Sequence, residues 1–109
     1  MDENDGFIKV VVPATVANLE IIRHEPLGVC VGITSFNVPL LLFAAKVAPA
    51  LAMGNTIIVK PSERNCLSTI AVGGLFKEAG FPPGVLQILV GEGNTGALLA
   101  AHPDVNKVF

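Results

Sequence analysis

Charged side chains are scarce in this chain, making up 15% of its 109 residues, against roughly 25% in an ordinary soluble domain. A domain of this size has a high ratio of surface to volume and should carry more charge than average, not less. The deficit predicts apolar surface that further polypeptide normally covers, whether another domain or a partner subunit. Neither sign of charge dominates, since the net charge is −2, so electrostatics offers no reason to expect nucleic acid or an anionic membrane as a partner. Long apolar runs are missing too. Crossing a bilayer takes about 20 apolar residues, and the most apolar stretch, Val38 to Met53, is interrupted by Lys46 and Pro49. The start, Met1-Asp2-Glu3-Asn4-Asp5, is acidic and unlike a secretory or transit leader, so a cytoplasmic setting is the expectation. Cysteine is equally sparse: Cys30 and Cys66 lie far apart, with no CxxC spacing and no close histidine pair. No metal site is expected from them. Cys30 sits in an apolar run and reads as a small buried hydrophobe.

Two β-rich runs come first, Ile8 to Val12 and Asn18 to Arg23, separated by Pro13 to Ala17. They suit a hairpin or two strands of a larger sheet, and a lone hairpin is marginal in water. From Gly28 the pattern alternates between strand and helix. Val29 to Thr34 is continuously apolar up to its end, as expected of a strand buried on both faces. Pro39 suits a first helical turn, and Gly54-Asn55 ends the helix that follows. Pro49 should kink that helix. Thr56 to Lys60 is a second buried strand. Leu67, Ile70, Ala71, Gly74 and Leu75 recur at helical spacing until Gly80 and Pro82-Pro83. Gly73-Gly74 inside this helix costs roughly 1 kcal/mol per glycine in propensity, which predicts close packing on a neighbour. Val85 to Val90 is a third strand, Thr95 to Ala101 a short helix, and Asn106 to Phe109 the start of a fourth strand. Such alternation implies a parallel sheet with right-handed crossovers.

Several blocks, in this order and spacing, resemble NAD(P)-dependent aldehyde dehydrogenases: Arg23-His24-Glu25-Pro26-Leu27-Gly28-Val29, Phe36-Asn37-Val38-Pro39-Leu40, Pro49 to Thr56, Lys60-Pro61-Ser62-Glu63, Lys77 to Val85 and His102 to Val108. The resemblance runs from about Phe7 to Phe109, and the combination of blocks carries it rather than any one alone. It implies an α/β fold, a Rossmann-like parallel sheet with flanking helices, preceded by a β-hairpin from an oligomerisation arm. Residues 1–25 would be the hairpin and 26–109 part of the NAD-binding domain.

Asn37 follows the first core strand, at the strand end where open α/β sheets bind ligands. From position alone it fits an N-terminal helix cap. The resemblance implies instead that its amide donates to the oxygen of the reaction intermediates, a contact that can be worth about 10²–10³ in rate. The family usually has Pro-Trp before this asparagine, whereas Ser35-Phe36 stands here. On spacing alone Lys60 and Glu63 are an exposed strand-end charge pair of little energetic consequence. The resemblance assigns both to the adenosine ribose, and a carboxylate there favours NAD while leaving NADP possible. It also sets Ile33, Thr34, Phe36 and Ser62 along the cofactor.

Gly91-Glu92-Gly93-Asn94-Thr95-Gly96 matches G-x-G-x-x-G between a strand and a helix. A dinucleotide fingerprint also needs an acidic residue about 20 positions on, beyond the last residue here. In the resembling family this turn lies near the adenine, which implies that Gly93 admits the ring and that Gly91 and Gly96 serve turn geometry. Cys66, at the start of the second helix, is not at the family's nucleophile position and is expected to be structural. His24 and His102 are expected at the surface. The family's nucleophilic Cys and general-base Glu fall beyond Phe109, so the segment is expected to be inactive alone. In a complete enzyme of this kind an aldehyde would be oxidised to a carboxylate with NAD. The subunits would form a homo-oligomer, or the segment would pair with full-length subunits. The alternatives are a non-catalytic nucleotide-binding or subunit-interaction module, and a non-functional remnant.

Overall fold

The computed structural model describes residues 8–11 and 20–109. Strands β1 (Ile8–Val11) and β2 (Glu20–Arg23) pair antiparallel, with Ile8 opposite Arg23 and Val11 opposite Glu20, and form a sheet of their own. The expected separator, Pro13 to Ala17, lies outside the described residues.

The second sheet is parallel and four-stranded, in the order β5-β4-β3-β6, from β3 (Val29–Ile33), β4 (Thr56–Lys60), β5 (Leu86–Ile88) and β6 (Lys107–Val108). Its helices are α1 (Pro39–Ala52), α2 (Leu67–Glu78) and α3 (Gly93–Ala101). The chain moves one way from β3 to β5, then crosses back to lay β6 on the other side of β3. Reversing direction and keeping the crossover hand requires a change of face. Accordingly α1 and α2 share one face, whereas Gly96 of α3 lies against the Ile33 and Lys60 side chains on the other.

Strand alternation assigns the core to the α1–α2 face. Cys30, Ile57 and Val59 meet Phe43, Val47 and Ala50 of α1, flanked by Val72, Phe76, Leu86 and Ile88. Phe76 packs edge-on against Phe43 at 5.9 Å. Both long helices end as their glycines dictate. After α1, Gly54 takes φ +80° while Gly54 and Asn55 donate to the Leu51 and Ala50 carbonyls. After α2, Gly80 takes φ +88° while Gly80 and Phe81 donate to those of Lys77 and Phe76. This is the paired closure that satisfies the last turn of a helix. Its usual hydrophobic contact is present as the Phe76–Phe81 ring pair, 4.8 Å apart.

Close packing explains only one of the two helical glycines. A Cβ at Gly73 would run into the Ile88 side chain, whereas Gly74 has nothing within 4 Å. Pro49 lies inside α1, as the sequence requires. Among the described residues no helix is long and apolar enough to cross a membrane.

Candidate functional site

The chain changes direction between β3 and β6, and the C-terminal ends of strands at such a reversal are where open α/β sheets bind ligands. The turn leaving β3 is fixed there from several sides. Ile33 donates its N–H to the Phe109 carbonyl at 2.9 Å, and its own carbonyl accepts from Lys46 Nζ at 2.8 Å. Thr34 N–H donates to the Lys60 carbonyl at 3.1 Å, which ties the turn to the end of β4. Asn65 Nδ2 donates to the Phe36 carbonyl at 3.2 Å, and the Arg64 guanidinium stands 5.5 Å over the Phe36 ring. Burial lowers the pKa of the Lys46 ammonium. Its stem lies against Gly32, where a Cβ would come within 3.3 Å of Lys46 Cδ.

Asn37 is not the cap of α1. Val38 occupies the N-cap position and no side chain caps the helix; Pro39 at the first turn removes one of the N–H groups a cap would serve. The Asn37 side chain instead accepts a 2.6 Å hydrogen bond from Ser35 Oγ through Oδ1. Among the described residues nothing accepts from its Nδ2, and Asn37 is exposed, so its N–H₂ group is open to an incoming acceptor.

Lys60 is 4% exposed although charged. Its stem is covered by α3 at Gly96, where a Cβ would stand 3.5 Å from Lys60 Cδ. Its ammonium donates to the Pro61 carbonyl at 3.2 Å and pairs with Glu63 Oε2 at 3.5 Å. The Glu63 carboxyl is held below its ordinary pKa, first by its own backbone N–H and, against a desolvation push upward, by the charges of Lys60 and Arg64. Ser62 Oγ accepts from the Arg64 N–H at 3.3 Å and shapes the same loop. Thr34 Oγ1 is buried without a partner among the described residues.

The structure thus brings Ile33, Thr34, Phe36, Asn37, Lys60, Ser62 and Glu63 to one edge of the sheet. Gly93 opens α3 one turn before Gly96, which lies against Lys60 and Ile33, and nothing stands within 4 Å of where its Cβ would be, so the space beside it is open. Among the described residues positive φ occurs only at Gly28, Gly54, Gly80 and Gly84, so neither Gly91 nor Gly96 serves a turn through the left-handed region that glycine alone enters freely. Space is what the missing side chain supplies at Gly91. A Cβ at Gly91 would meet the Thr95 side chain, whereas one at Gly96 would sit in ordinary contact with Lys60 and Ile33, 3.5 and 3.7 Å away. Lys46, Arg64 and Asn65 were missed because single polar residues in a helix or loop carry no spacing signal. Cys66 is half-buried at the N-cap of α2, and Cys30 is buried, its thiol pKa pushed up by that burial. Both histidines are exposed. Among the described residues no cluster of His, Cys, Asp and Glu could hold a metal ion.

The aldehyde dehydrogenase family model matches residues 5–109. Human retinal dehydrogenase 2 is 55% identical over 87 residues, covering 79% of this chain and 17% of that protein. Horse aldehyde dehydrogenase 1A1 is likewise 55% identical over 87 residues, with the same coverage of 79% and 17%. Among solved structures, betaine aldehyde dehydrogenase from Staphylococcus aureus in complex with NAD+ superposes with a TM-score of 0.86 at 38% identity, over 95% of this chain and 21% of that one. PnpE in complex with nicotinamide adenine dinucleotide gives 0.86 at 41% identity, over 93% and 21%. The chain therefore spans about a fifth of the length of the proteins it matches.

Proposed function

Because the chain belongs to the aldehyde dehydrogenase family, we propose that it is the part of an NAD-dependent aldehyde dehydrogenase that holds the adenosine side of the cofactor and supplies one donor to the reacting oxygen. The residues at the sheet edge suit the cofactor. Lys60 offers N–H donors and Glu63 carboxylate acceptors to vicinal ribose hydroxyls, Thr34 has a buried hydroxyl with no partner among the described residues, and α3 lies over the Lys60 stem at Gly96. NAD, when bound, supplies the hydride acceptor. The chain's own contribution is to orient the cofactor and to place the Asn37 N–H₂ group where negative charge develops on a substrate oxygen. A negative Glu63 repels a 2′-phosphate, which favours NAD over NADP.

The observation that carries this reading is the Asn37 amide, left open at the end of β3 instead of capping α1. The test uses a chimera in which these residues replace the matching 87-residue segment of human retinal dehydrogenase 2. Asn37→Ala in the chimera should lower kcat by about 10²–10³ while NAD affinity stays within about two-fold. Equal loss of both would remove the assigned role.

A second reading, a subunit-interaction module, draws on different residues. Ile21 and Ile22 of β2 are 58% and 47% exposed on opposite faces of a two-stranded ribbon. That supports residues 1–25 as an oligomerisation arm and 26–109 as part of the cofactor domain, in a homo-oligomer or paired with longer subunits in the cytoplasm. Co-purification of the tagged chain with a full-length homologue from a cytosolic extract is the expected result; a strictly monomeric species would count against it.

A further inference from the structure

An asparagine side chain on an exposed turn turns freely about its terminal torsion, because that torsion has broad, roughly two-fold wells. A useful donor must instead be held in one orientation before the reaction begins. The described residues contain one group that selects the orientation of Asn37. Ser35 Oγ lies 2.6 Å from Oδ1, and Oδ1 has no hydrogen, so the serine hydroxyl is the donor. With Oδ1 turned to Ser35, both Nδ2 hydrogens are left for another acceptor.

The hydrogen bond is useful only if Ser35 itself stands on a fixed frame. Backbone groups on either side of it are bonded to four different parts of the molecule: Phe109, Lys46, Lys60 and Asn65. These contacts fix Ile33, Thr34 and Phe36, so the Ser35 hydroxyl is carried by backbone that cannot follow the amide if it rotates.

We propose that Ser35 is a positioning residue, whose hydroxyl holds the Asn37 side-chain amide with its N–H₂ group facing the site. This rests on the function proposed above for Asn37, though its first test reads the side chain itself and not turnover. In the ¹⁵N-labelled chain, the Asn37 Nδ2 proton pair should be ordered in the native protein. Ser35→Ala should lose that order and move both resonances toward those of a free exposed amide. Ser35→Thr, which keeps the hydroxyl, should restore it, and the backbone amides of Ile33 and Thr34 should stay in place in all three.

An Asn37 amide equally ordered in Ser35→Ala would overturn the proposal. So would displaced Ile33 and Thr34 amides in that variant, since Ser35 would then support the turn and not aim the side chain. Within the chimera, Ser35→Ala should lower kcat about three- to ten-fold, the effect of one neutral hydrogen bond, at unchanged NAD affinity, with recovery in Ser35→Thr. A mobile amide in the native chain defeats this inference alone. An ordered amide whose removal by Asn37→Ala leaves kcat intact defeats the functional reading alone.

Discussion

At the scale of single residues, the cofactor proposal depends on the ionisation of Glu63. Its carboxyl lies below the ordinary value of 4.5, chiefly through its own backbone N–H and then through Lys60 and Arg64. A lowered native pKa means that the ionised form is favoured. What that form contributes is complete above the ordinary value and is lost only as pH falls through the lowered one. NAD affinity should therefore be flat from about pH 8 to about pH 5 and decline only below the ordinary carboxylate range. Glu63→Gln should weaken NAD about three- to ten-fold, remove the acid decline, and narrow the preference for NAD over NADP. Calorimetric titration at several pH values checks all three, and an unchanged acid limb in Glu63→Gln would assign the titration to another group. How legible this edge was differs from residue to residue. The Lys60–Glu63 pair and Asn37 stood out through a resemblance. Position alone pointed to a helix cap for Asn37, a role that Val38 and Pro39 leave no room for. The Ser35–Asn37 bond was not legible, because a hydroxyl and an amide two residues apart meet only in one particular turn.

At the scale of elements, strand and helix positions followed from patterns that physics makes local. The β4 strand lies where its apolar run does, and both long helices stop at glycines that adopt positive φ. Strand β5 is shorter than its apolar run, with Leu89 and Val90 exposed at 45% and 47% beyond it. Hydrophobicity marks a run without saying where its partner strand ends. The glycine pair in α2 separates the two effects most clearly, because both glycines carry the same propensity cost and only one touches a neighbour. Gly74→Ala should raise stability by about 0.5–1 kcal/mol, the intrinsic preference of a helix interior for alanine. Gly73→Ala gains the same preference but drives a methyl into Ile88. The clash is with the terminal Cδ1 of a half-buried side chain, so turning Ile88 aside costs about 0.5–1.5 kcal/mol. Gly73→Ala should therefore be near neutral, and less stable than Gly74→Ala. Urea unfolding of the two variants measures the difference. Equal and stabilising changes would mean that Ile88 moves aside at no cost.

At the scale of the whole molecule, the low charge content becomes a surface property. Leu41, Leu67 and Leu98 are 67%, 78% and 73% exposed. A groove of about 630 Å³ runs between α1 and α2, lined among others by Leu40, Phe43, Ala48, Leu51 and Phe76. None of the residues proposed for the cofactor lines it, so the groove and the sheet edge are separate surfaces with separate tests. Apolar surface of this kind, left in water, associates or binds amphiphiles. The chain alone should therefore enhance the fluorescence of an apolar dye and self-associate as its concentration rises. Ala48 is exposed on the groove wall, so Ala48→Glu places a charge there without burying it. The substitution should reduce dye binding and association together, while unfolding free energy changes by no more than about 0.5 kcal/mol, as for a surface position. NAD affinity should not move, because the charge is added away from the sheet edge. If dye binding and association are the same in Ala48→Glu as in the native chain, the exposed leucines outside the groove are the sticky surface. The scarcity of charge would then be explained by them instead.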